Sequence, residues 1–537
     1  MVERSDGLSR RELIGIGVGL AIMEPFPFRT SSVLTYDAQL SLPDPLIVAA
    51  YQSAANKNVL AAVNPKVFPG YYCVCADGQG FGYGNSYPSL DGHQLTDALL
   101  WLGQVDTVRA NWDYIKSFQH PDGRLPLAIL PRMAGKDIGP AGYPGFVEAN
   151  GGLYKHWVPG DPLAALSSPT YIQNADVIFR RTLDRTWLAS QIASINLSAE
   201  YLASLINPHG AVRGGGYYVE RPTRLDCDGV TQPHAIDAFR MVAAMNRLLG
   251  ITSAANRYEE IAGRIHHNLV TRFWMEDHFA EYSNPEHGLI DRHGLCDSDW
   301  AAMAFGTITK EQEAILWPRL KDEERFHYGG MPTGICTEPE RYEDWEFAYP
   351  DKMDLAAMGR VWYVECQARA RMGDGEGLVD TLRRVAKMGQ DNGFYWRERY
   401  TAKGGHGAEK YCEYPANLIR VVQRFLLGVN MGYDGSLTLA PTVPPAYWEK
   451  GFGQKLSWQD RALEYRMDLE MVSGSYFGGP QQLIVRLESL RSKRPIQMML
   501  NGKIHSVRTD SGVVHVHLPA TVADMPCRFE IRTPQSS

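Results

Sequence analysis

The sequence predicts a mostly α-helical protein that ends in a smaller β-rich region. Apolar residues recur at helical spacing through most of the first 430 residues, in consecutive pairs of segments joined by loops of uneven length. Near residue 430 the pattern changes to alternating apolar and polar residues between Gly and Asp turns. The 537 residues are 44% hydrophobic and 21% charged, an ordinary globular composition that excludes wholesale disorder and a disulfide miniprotein.

The first thirty residues resemble an export signal of the twin-arginine type. Arg10 and Arg11 precede a short apolar run at residues 13–23. This run is too short for a membrane span, which needs roughly 20 residues. We expect residues 1–30 to direct export to the periplasm or the cell exterior. A short buried helix is the alternative.

Charge and cysteine content exclude further classes. With 54 basic and 61 acidic side chains the net charge is −7, whereas a broad nucleic-acid interface usually carries excess positive charge. We therefore expect no nucleic-acid partner. The 8 cysteines show no Cys-x-x-Cys spacing and hence no zinc signature, so buried free thiols are the default expectation.

A loop-rich leading segment, residues 31–90, precedes a helical body that spans residues 91–430. In the first helix, 92–105, Leu95, Leu99 and Leu102 share one face. The same periodicity predicts further helices at 107–119, 176–206, 232–249, 253–275, 297–306, 309–321, 351–372, 377–389 and 414–428.

Residues 431–537 predict an antiparallel β-sandwich-like domain. Gly432 to Gly435 form a turn signal, and alternating segments such as 482–487 and 513–518 follow it. Asn501-Gly502 is a strong two-residue hairpin signal after a strand at 496–500.

The long loops between the helices share one chemistry, a mixture of aromatic rings, carboxylates and arginines. Aromatic faces stack on the C–H faces of a sugar ring, while carboxylates and guanidinium groups bind its hydroxyls. Glycosidic hydrolysis needs two carboxyl groups, one protonated to supply the leaving oxygen and one ionised to activate water or attack. The loops contain Asp91, His93 and Asp97 in 84–97; Tyr217, Tyr218, Glu220, Arg221, Arg224, Asp226 and Asp228 in 211–231; Trp345 and Glu346 in 341–354; and Tyr395, Trp396, Glu398, Arg399, Glu409 and Glu413 in 393–413.

Paired helices, functional loops and a final β region together resemble the (α/α)6-barrel, or six-hairpin, glycoside hydrolases. That clan includes α-L-rhamnosidases, trehalases and processing-glucosidase-like enzymes. The passages that carry the resemblance are residues 87–101, 233–240, 395–400 and 426–441. The resemblance implies an (α/α)6 toroid of helical hairpins with its catalytic end built from loops.

The resemblance also implies site residues. Tyr395-Trp396-Arg397-Glu398-Arg399 is similar to the Leu-Trp-Glu-Arg-Trp motif of rhamnosidases, whose glutamate is the general base. In such enzymes the general acid lies in the loop before the mid-barrel hairpin, here residues 220–228. The rhamnosidase acid motif itself, Cys-Pro-x-Arg-Asp-Glu-Arg, is absent from its usual place.

The residues and the resemblance together predict an exported, exo-acting glycoside hydrolase, and the resemblance implies that it inverts configuration. Glu398 is the predicted general base, with Glu409 as the alternative. Glu220 is the preferred acid because Tyr217 and Tyr218 could desolvate its carboxyl, while Asp226 and Asp228 stay open. No metal or organic cofactor is needed. The residues expected to bind sugar are Asp91, His93, Tyr217, Tyr218, Arg224, Trp345, Trp396 and Arg399.

Three alternatives stay open at this point. A disaccharide phosphorylase would replace water by phosphate, and Gly404-Gly405-His406-Gly407 could bind that anion. A polysaccharide lyase or sugar epimerase would use His93, His406 or Tyr411 as its base. A non-catalytic glycan-binding protein would bind sugar without turnover.

Overall fold

The helices and sheets below come from a computed structural model. It describes residues 36, 39–63, 72–76, 87–126, 128–133, 136–137, 147–149, 152–155, 165–214, 226–346, 355–487, 497–505, 507–510, 512–521 and 525–532, with backbone alone for 87–91, 128–155 and 508–510. The chain divides into two units, Met1–Leu34 and Thr35–Ser537, and every described residue belongs to the second. The predicted export signal lies outside the described residues.

The described residues contain 13 α-helices, three of which continue into a short π-helical segment. They are α1 (Pro45–Ser53), α2 (Ser89–Trp101), α3 (Val105–Lys116), α4 (Ser167–Thr182), α5 (Arg185–Ser204), α6 (Thr231–Leu248), α7 (Thr252–Asn268), α8 (Asp297–Phe305), α9 (Lys310–Leu320), α10 (Gly359–Met372), α11 (Gly375–Asp391), α12 (Glu413–Val421) and α13 (Pro445–Lys450).

Six of these helices form a closed inner ring. Around the ring α2 packs on α4, α4 on α6, α6 on α8, α8 on α10, α10 on α12, and α12 on α2. The inner helices are buried on nearly every side; all nine residues of α12 are buried. The outer helices bury one stripe instead, as α11 does with Leu378, Leu382 and Val385. This is the predicted (α/α)6 toroid.

The outer partner of α12 comes from the beginning of the chain. Helices α3, α5, α7, α9 and α11 each follow and pack on the preceding inner helix, whereas α1 and the π-helical Ala54–Val59 pack on α12. The leading segment predicted to be rich in loops thus supplies the twelfth helix of the barrel. Asp44 begins this helix by accepting hydrogen bonds from the backbone N–H groups of Leu46 and Ile47, with Pro45 at its first position.

Two predicted helices differ from the observed ones. The stretch 176–206 is a hairpin, because Leu183 adopts a left-handed conformation (φ 51°) and the Asp184 side chain then caps α5. The helix predicted at 351–372 begins only at Gly359.

The strands form five sheets in the described residues. In the C-terminal region one seven-stranded sheet has the order β1-β14-β15-β16-β22-β18-β19, and one five-stranded sheet has the order β12-β13-β17-β21-β20. At the loop end of the barrel lie the sheets β2-β3-β6-β5 with β4 paired to β3, β7-β8-β9, and β10-β11. The strands are β1 (Leu40–Ser41), β2 (Tyr87–Pro88), β3 (Ala128–Met133), β4 (Lys136–Asp137), β5 (Val147–Ala149), β6 (Gly152–Lys155), β7 (Cys227–Asp228), β8 (Tyr282–Asn284), β9 (Gly288–Ile290), β10 (Arg399–Thr401), β11 (Gly404–His406), β12 (Val429–Met431), β13 (Leu437–Leu439), β14 (Phe452–Trp458), β15 (Arg461–Met467), β16 (Met471–Phe477), β17 (Gln481–Arg486), β18 (Gln497–Leu500), β19 (Lys503–His505), β20 (Arg508–Asp510), β21 (Val513–Leu518) and β22 (Cys527–Arg532).

The C-terminal sheets confirm the predicted turns. Asn501 and Gly502 have φ values of 48° and 79°, the two positive values of a type I′ turn, and join β18 to β19 with Leu500 opposite Lys503. Pairing is antiparallel in both sheets except between β13 and β17, which run parallel. Strand β1 pairs with β14, so the leading segment also contributes to the C-terminal sheet.

All eight cysteines are buried and free, as expected. Among the described residues, none of the helices combines the length and apolar character that crossing a membrane demands.

Candidate active site

The loop end of the ring is where the inner helices begin. Each outer helix returns the chain to the same end, so the six inner helices start together there. In agreement, Arg360 in the first turn of α10 bonds Glu413, the first residue of α12, with 2.8 Å between Nη2 and Oε2. Because α6 and α12 are three places apart in a ring of six, the loops before them lie on opposite sides of this end.

The loop before α6 places two carboxylates in or beside strand β7. Asp228 is fully buried, and its Oδ1 accepts a hydrogen bond from the backbone N–H of Val230 at 3.3 Å. Asp226 is half-buried, and its Oδ2 accepts from the Ser283 hydroxyl at 2.8 Å. Both candidate acids are thereby attached to the β7-β8-β9 sheet at the start of α6.

The loop before α12 carries Glu398, the predicted base, which is 6% exposed. Its Oε1 accepts from Nε of Arg399 at 3.0 Å and its Oε2 from the backbone N–H of Ala408 at 3.3 Å. Gly407 (φ 77°) lies against this carboxylate, and a Cβ there would stand 2.5 Å from Oε2. The surroundings therefore fix the orientation of Glu398 from two sides.

Three neighbours of Glu398 make contacts other than the predicted ones. Trp396 is completely buried, and its indole N–H donates to the carbonyl of Val385 at 3.0 Å, so it presents no exposed ring face on which a sugar could stack. The Glu409 side chain is 73% exposed and pairs with Arg397 at 2.8 Å, which leaves it in water rather than in a desolvated site. Arg399 bonds the Glu398 carboxylate, so its observed contact orients the predicted base.

Trp345 lies in a short 3₁₀ turn, Asp344–Glu346, and is half-buried. Its ring stacks on His287 with the centroids 4.0 Å apart, and the Arg292 guanidinium lies 5.5 Å from the ring centroid. The indole N–H donates to Glu343. An aromatic ring beside an arginine is consistent with the predicted sugar contact.

His93 lies in the second turn of α2 and is buried. Its Nδ1 is 3.0 Å from Oδ1 of Asn174 and its Nε2 is 3.2 Å from Nη2 of Arg420. Burial and the charge of Arg420 lower the pKa of His93 to about 3. A neutral imidazole protonated on Nδ1 satisfies both contacts, and it belongs to the ring interior rather than to the rim.

The remaining predicted residues have no described side chain. Asp91 is described in its backbone only, in the first turn of α2. Four others lie outside the described residues: Tyr217, Tyr218, Glu220 and Arg224.

A cavity of about 290 Å³ lies inside the ring of inner helices. Asp237 on α6 lines it, and burial together with the neighbouring Asp176 raises the pKa of Asp237 to about 7. Asp237 has no chemical role among the sequence predictions, although it lies in the 233–240 passage. The available signal was an acidic residue between the apolar residues Ile236 and Ala238 in the middle of a predicted helix.

Solved structures share this fold. An α-L-rhamnosidase from Dictyoglumus thermophilum is similar with a TM-score of 0.61 and 11% identity, over 93% of this chain and 51% of that one. The Streptomyces avermitilis α-L-rhamnosidase complexed with L-rhamnose gives 0.58 and 12%, over 92% and 42%. A GH63 mannosylglycerate hydrolase from Thermus thermophilus in complex with glucose gives 0.50 and 12%, over 70% and 100%.

These neighbours are glycoside hydrolases of the six-hairpin type, which confirms the predicted resemblance at the level of the fold. This chain spans about half the length of the rhamnosidases. No family model and no curated protein matches it.

Proposed function

We propose that this protein is a glycoside hydrolase that removes terminal sugars with inversion of configuration. The observation that carries the proposal is the placement of two acidic loops before opposite inner helices, with Glu398 on one side and Asp226 and Asp228 on the other. The six-hairpin fold supports it, because the similar solved structures are glycoside hydrolases.

In the proposed mechanism Glu398 is the general base. Its carboxylate accepts a proton from a water molecule as that water attacks the anomeric carbon. An acid from the loop before α6 protonates the departing oxygen. Inversion requires room for the water, with the two carboxyl groups roughly 6.5–9.5 Å apart.

The identity of the acid stays open among Glu220, Asp226 and Asp228. All three belong to one segment that leads into α6, so each would approach the sugar from the side opposite Glu398. Of the two whose side chains the structure describes, Asp228 is fully buried and Asp226 is half-buried.

Sugar binding is proposed for the aromatic and charged groups at the same end. Trp345 offers a partly exposed ring flanked by the Arg292 guanidinium. One of the similar structures holds L-rhamnose and another holds glucose, so rhamnosides and glucosides are the first substrates to test.

The test is a screen of aryl glycosides, including α-L-rhamnosides and both anomers of glucosides, with proton NMR of the first sugar released. We expect release of one sugar, with its anomeric configuration opposite to that of the substrate. Each assay is repeated with added phosphate and followed in the ultraviolet. Cleavage only with phosphate would identify a phosphorylase, and an unsaturated product would identify a lyase. Sugar binding in calorimetry without turnover would contradict the enzyme proposal.

A further inference from the structure

A buried histidine, His293, lies between two buried glutamates. Its Nδ1 is 2.5 Å from Oε2 of Glu281, and its Nε2 is 3.3 Å from Oε2 of Glu346. His293, Glu281 and Glu346 are 1%, 1% and 0% exposed respectively. We call these three residues the His293 cluster.

Further donors complete the cluster. The Tyr342 hydroxyl donates to Glu281, and the Tyr342 ring stacks on the imidazole with centroids 3.5 Å apart and an interplanar angle of 9°. Glu346 accepts from the Tyr282 hydroxyl and, at 2.7 Å, from Nη2 of Arg292. Each of the two buried carboxylates thus accepts hydrogen bonds from the imidazole and from at least one other side chain.

The two glutamates belong to different parts of the proposed active site. On one side, the carbonyl of Glu281 accepts from the N–H of Gly229 at 2.8 Å, and Tyr282 is paired with Asp228 between β8 and β7. On the other side, Glu346 directly follows Trp345. Its Oε2 also accepts from the N–H of Glu343 at 2.8 Å, which closes the turn that holds Trp345. The imidazole bonds both glutamates and so connects the two parts.

Electrostatics favours the charged imidazolium. Burial lowers the pKa of His293, but the charge of Glu281 and the hydrogen bonds with Glu281 and Glu346 outweigh it, so that pKa is raised. Burial raises the pKa of Glu346, but hydrogen bonds from His293 and Tyr282 outweigh it and lower that pKa to about 2. A neutral imidazole has one N–H and can donate to only one of the two glutamates.

We propose that doubly protonated His293 is a positioning residue of the active site, joining the strand that carries Asp228 to the turn that carries Trp345. The inference rests on the proposed function for its catalytic meaning. His293 itself touches no substrate; it acts through the two segments.

The pH dependence has a definite sign. The pKa of His293 is raised in the folded protein, so protonated His293 stabilises the folded state. This stabilisation is complete below the ordinary pKa of histidine and is lost as pH rises through the raised pKa. The groups that face the imidazole are Glu281, Glu346 and the stacked Tyr342, and Arg292 bonds the same Oε2 of Glu346 as the imidazole does. Carboxyl groups ordinarily titrate well below that range, and phenol and guanidinium groups ordinarily titrate above it, so the change belongs to His293.

The experiment compares the wild type with His293→Gln. We expect kcat/KM to fall about 10–100-fold, the range seen when a group that orients functional residues is removed. The alkaline decline of kcat/KM that His293 causes should disappear. The rescue variant is Glu281→Gln/His293→Gln, in which the amide introduced at 293 can donate to Glu346 and accept from the amide introduced at 281. It should recover most of the lost kcat/KM, without the alkaline decline.

Hydrogen exchange gives a readout that needs no turnover. The amides of Gly229 and Glu343 should lose protection in His293→Gln and, in the wild type, above the pKa of His293. His278→Gln is the matched control, because His278 is also paired with a carboxylate, that of Asp277 at 2.6 Å, but lies outside the His293 cluster. It should keep wild-type protection.

The outcomes separate the two proposals. Wild-type protection and an unchanged pH profile in His293→Gln would overturn the positioning role. If the rescue variant has the same kcat/KM as His293→Gln, His293 contributes packing alone, and this result also overturns the positioning role. If the wild type cleaves no glycoside while protection still depends on His293, the glycosidase proposal fails and the link between the segments stands.

Should His293→Gln not fold, Tyr342→Phe removes one donor to Glu281 and should lower protection in the same direction. Unchanged amide protection in Tyr342→Phe would overturn the proposal.

Discussion

Asp97 on α2, the first inner helix, is bonded through both carboxylate oxygens to Arg424, which follows α12, the last inner helix. Arg424 reaches Oδ1 and Oδ2 at 2.7 Å each, and Nε of Arg420 reaches Oδ2 at 2.8 Å. Burial opposes ionisation of Asp97, but the two guanidinium groups outweigh it and hold its pKa below the ordinary range. This buried contact joins α2 to α12 and closes the ring.

Asp97→Asn should therefore destabilise the protein strongly. Removing one partner leaves the buried Arg420 and the half-buried Arg424 without their carboxylate, which costs about 3–5 kcal/mol. Urea unfolding at neutral pH measures the change. The control is Asp380→Asn, which removes an exposed pair with Arg384 and should cost less than about 0.5 kcal/mol. Equal effects in the two variants would contradict the ring-closing role.

Glu398→Gln should abolish turnover while sparing the fold. The amide cannot accept the proton of the attacking water, and loss of a general base typically lowers kcat by about 10²–10⁴-fold. Glu409→Gln is the matched control; because Glu409 is exposed, we expect nearly unchanged activity. Thermal unfolding verifies that both variants are folded. Near-normal activity of Glu398→Gln would remove Glu398 from the mechanism.

The acid can be identified by leaving-group chemistry. Glu220→Gln, Asp226→Asn and Asp228→Asn are assayed on a dinitrophenyl glycoside, whose leaving group needs no proton, and on an alkyl glycoside. The variant lacking the acid should lose about 10²–10⁴-fold on the alkyl glycoside and far less on the dinitrophenyl one. If all three variants respond equally to both substrates, the acid lies elsewhere.

Trp345→Ala should raise KM more than it lowers kcat. Loss of a stacking face worth about 0.5–1.5 kcal/mol corresponds to roughly a 2–13-fold higher KM. Trp187 is also half-buried and provides the control, because it lies in the first turn of outer helix α5, at the end of the barrel opposite the loops. An unchanged KM in Trp345→Ala would exclude a sugar contact by this ring.

Asp237 should make the protein less stable as pH rises. Its pKa is raised to about 7 in the folded chain, so the folded state binds more protons than the unfolded state between about pH 4 and 7. Stability from this group is present below about pH 4 and is lost as pH rises through about 7. Asp237→Asn, neutral throughout, should be more stable than the wild type by at most about 4 kcal/mol at about pH 8, since one pKa unit corresponds to about 1.4 kcal/mol, and similar at about pH 4. Parallel stability curves for the two proteins would contradict this.

Local signals predict most of the helices, because apolar residues recur along each one at the helical period. Helix α1 escapes prediction even though Asp44 and Pro45 form a recognisable helix start, since its apolar run is short and lies within a loop-rich stretch. The break at Leu183 is also not predicted. Glycine is the usual sequence signal of a left-handed conformation, and residue 183 is a leucine. The Asn501-Gly502 hairpin is predictable because those two residues alone favour the turn geometry.

Candidate-site residues divide in the same way. The motif identifies Glu398 as a candidate general base. It does not tell which other residues of the same loop are buried, as Trp396 is, and which are exposed, as Glu409 is. Adjacent residues of a loop can point into the core or into water, and only the packing of α11 against Trp396 decides which. The His293 cluster joins residues up to 65 positions apart, from Glu281 to Glu346, and no local pattern connects them.

Short-range sequence patterns were enough to establish the helical period, the change to strands near residue 430, the type I′ hairpin and a supply of acidic and aromatic loop residues. Those features depend on interactions between residues close in the chain. The folded chain decided the rest: that the inner helices close into a ring, that α1 completes it, and which carboxylates are buried. Those features depend on contacts between distant segments, whose free energy is realised only when the whole barrel has formed.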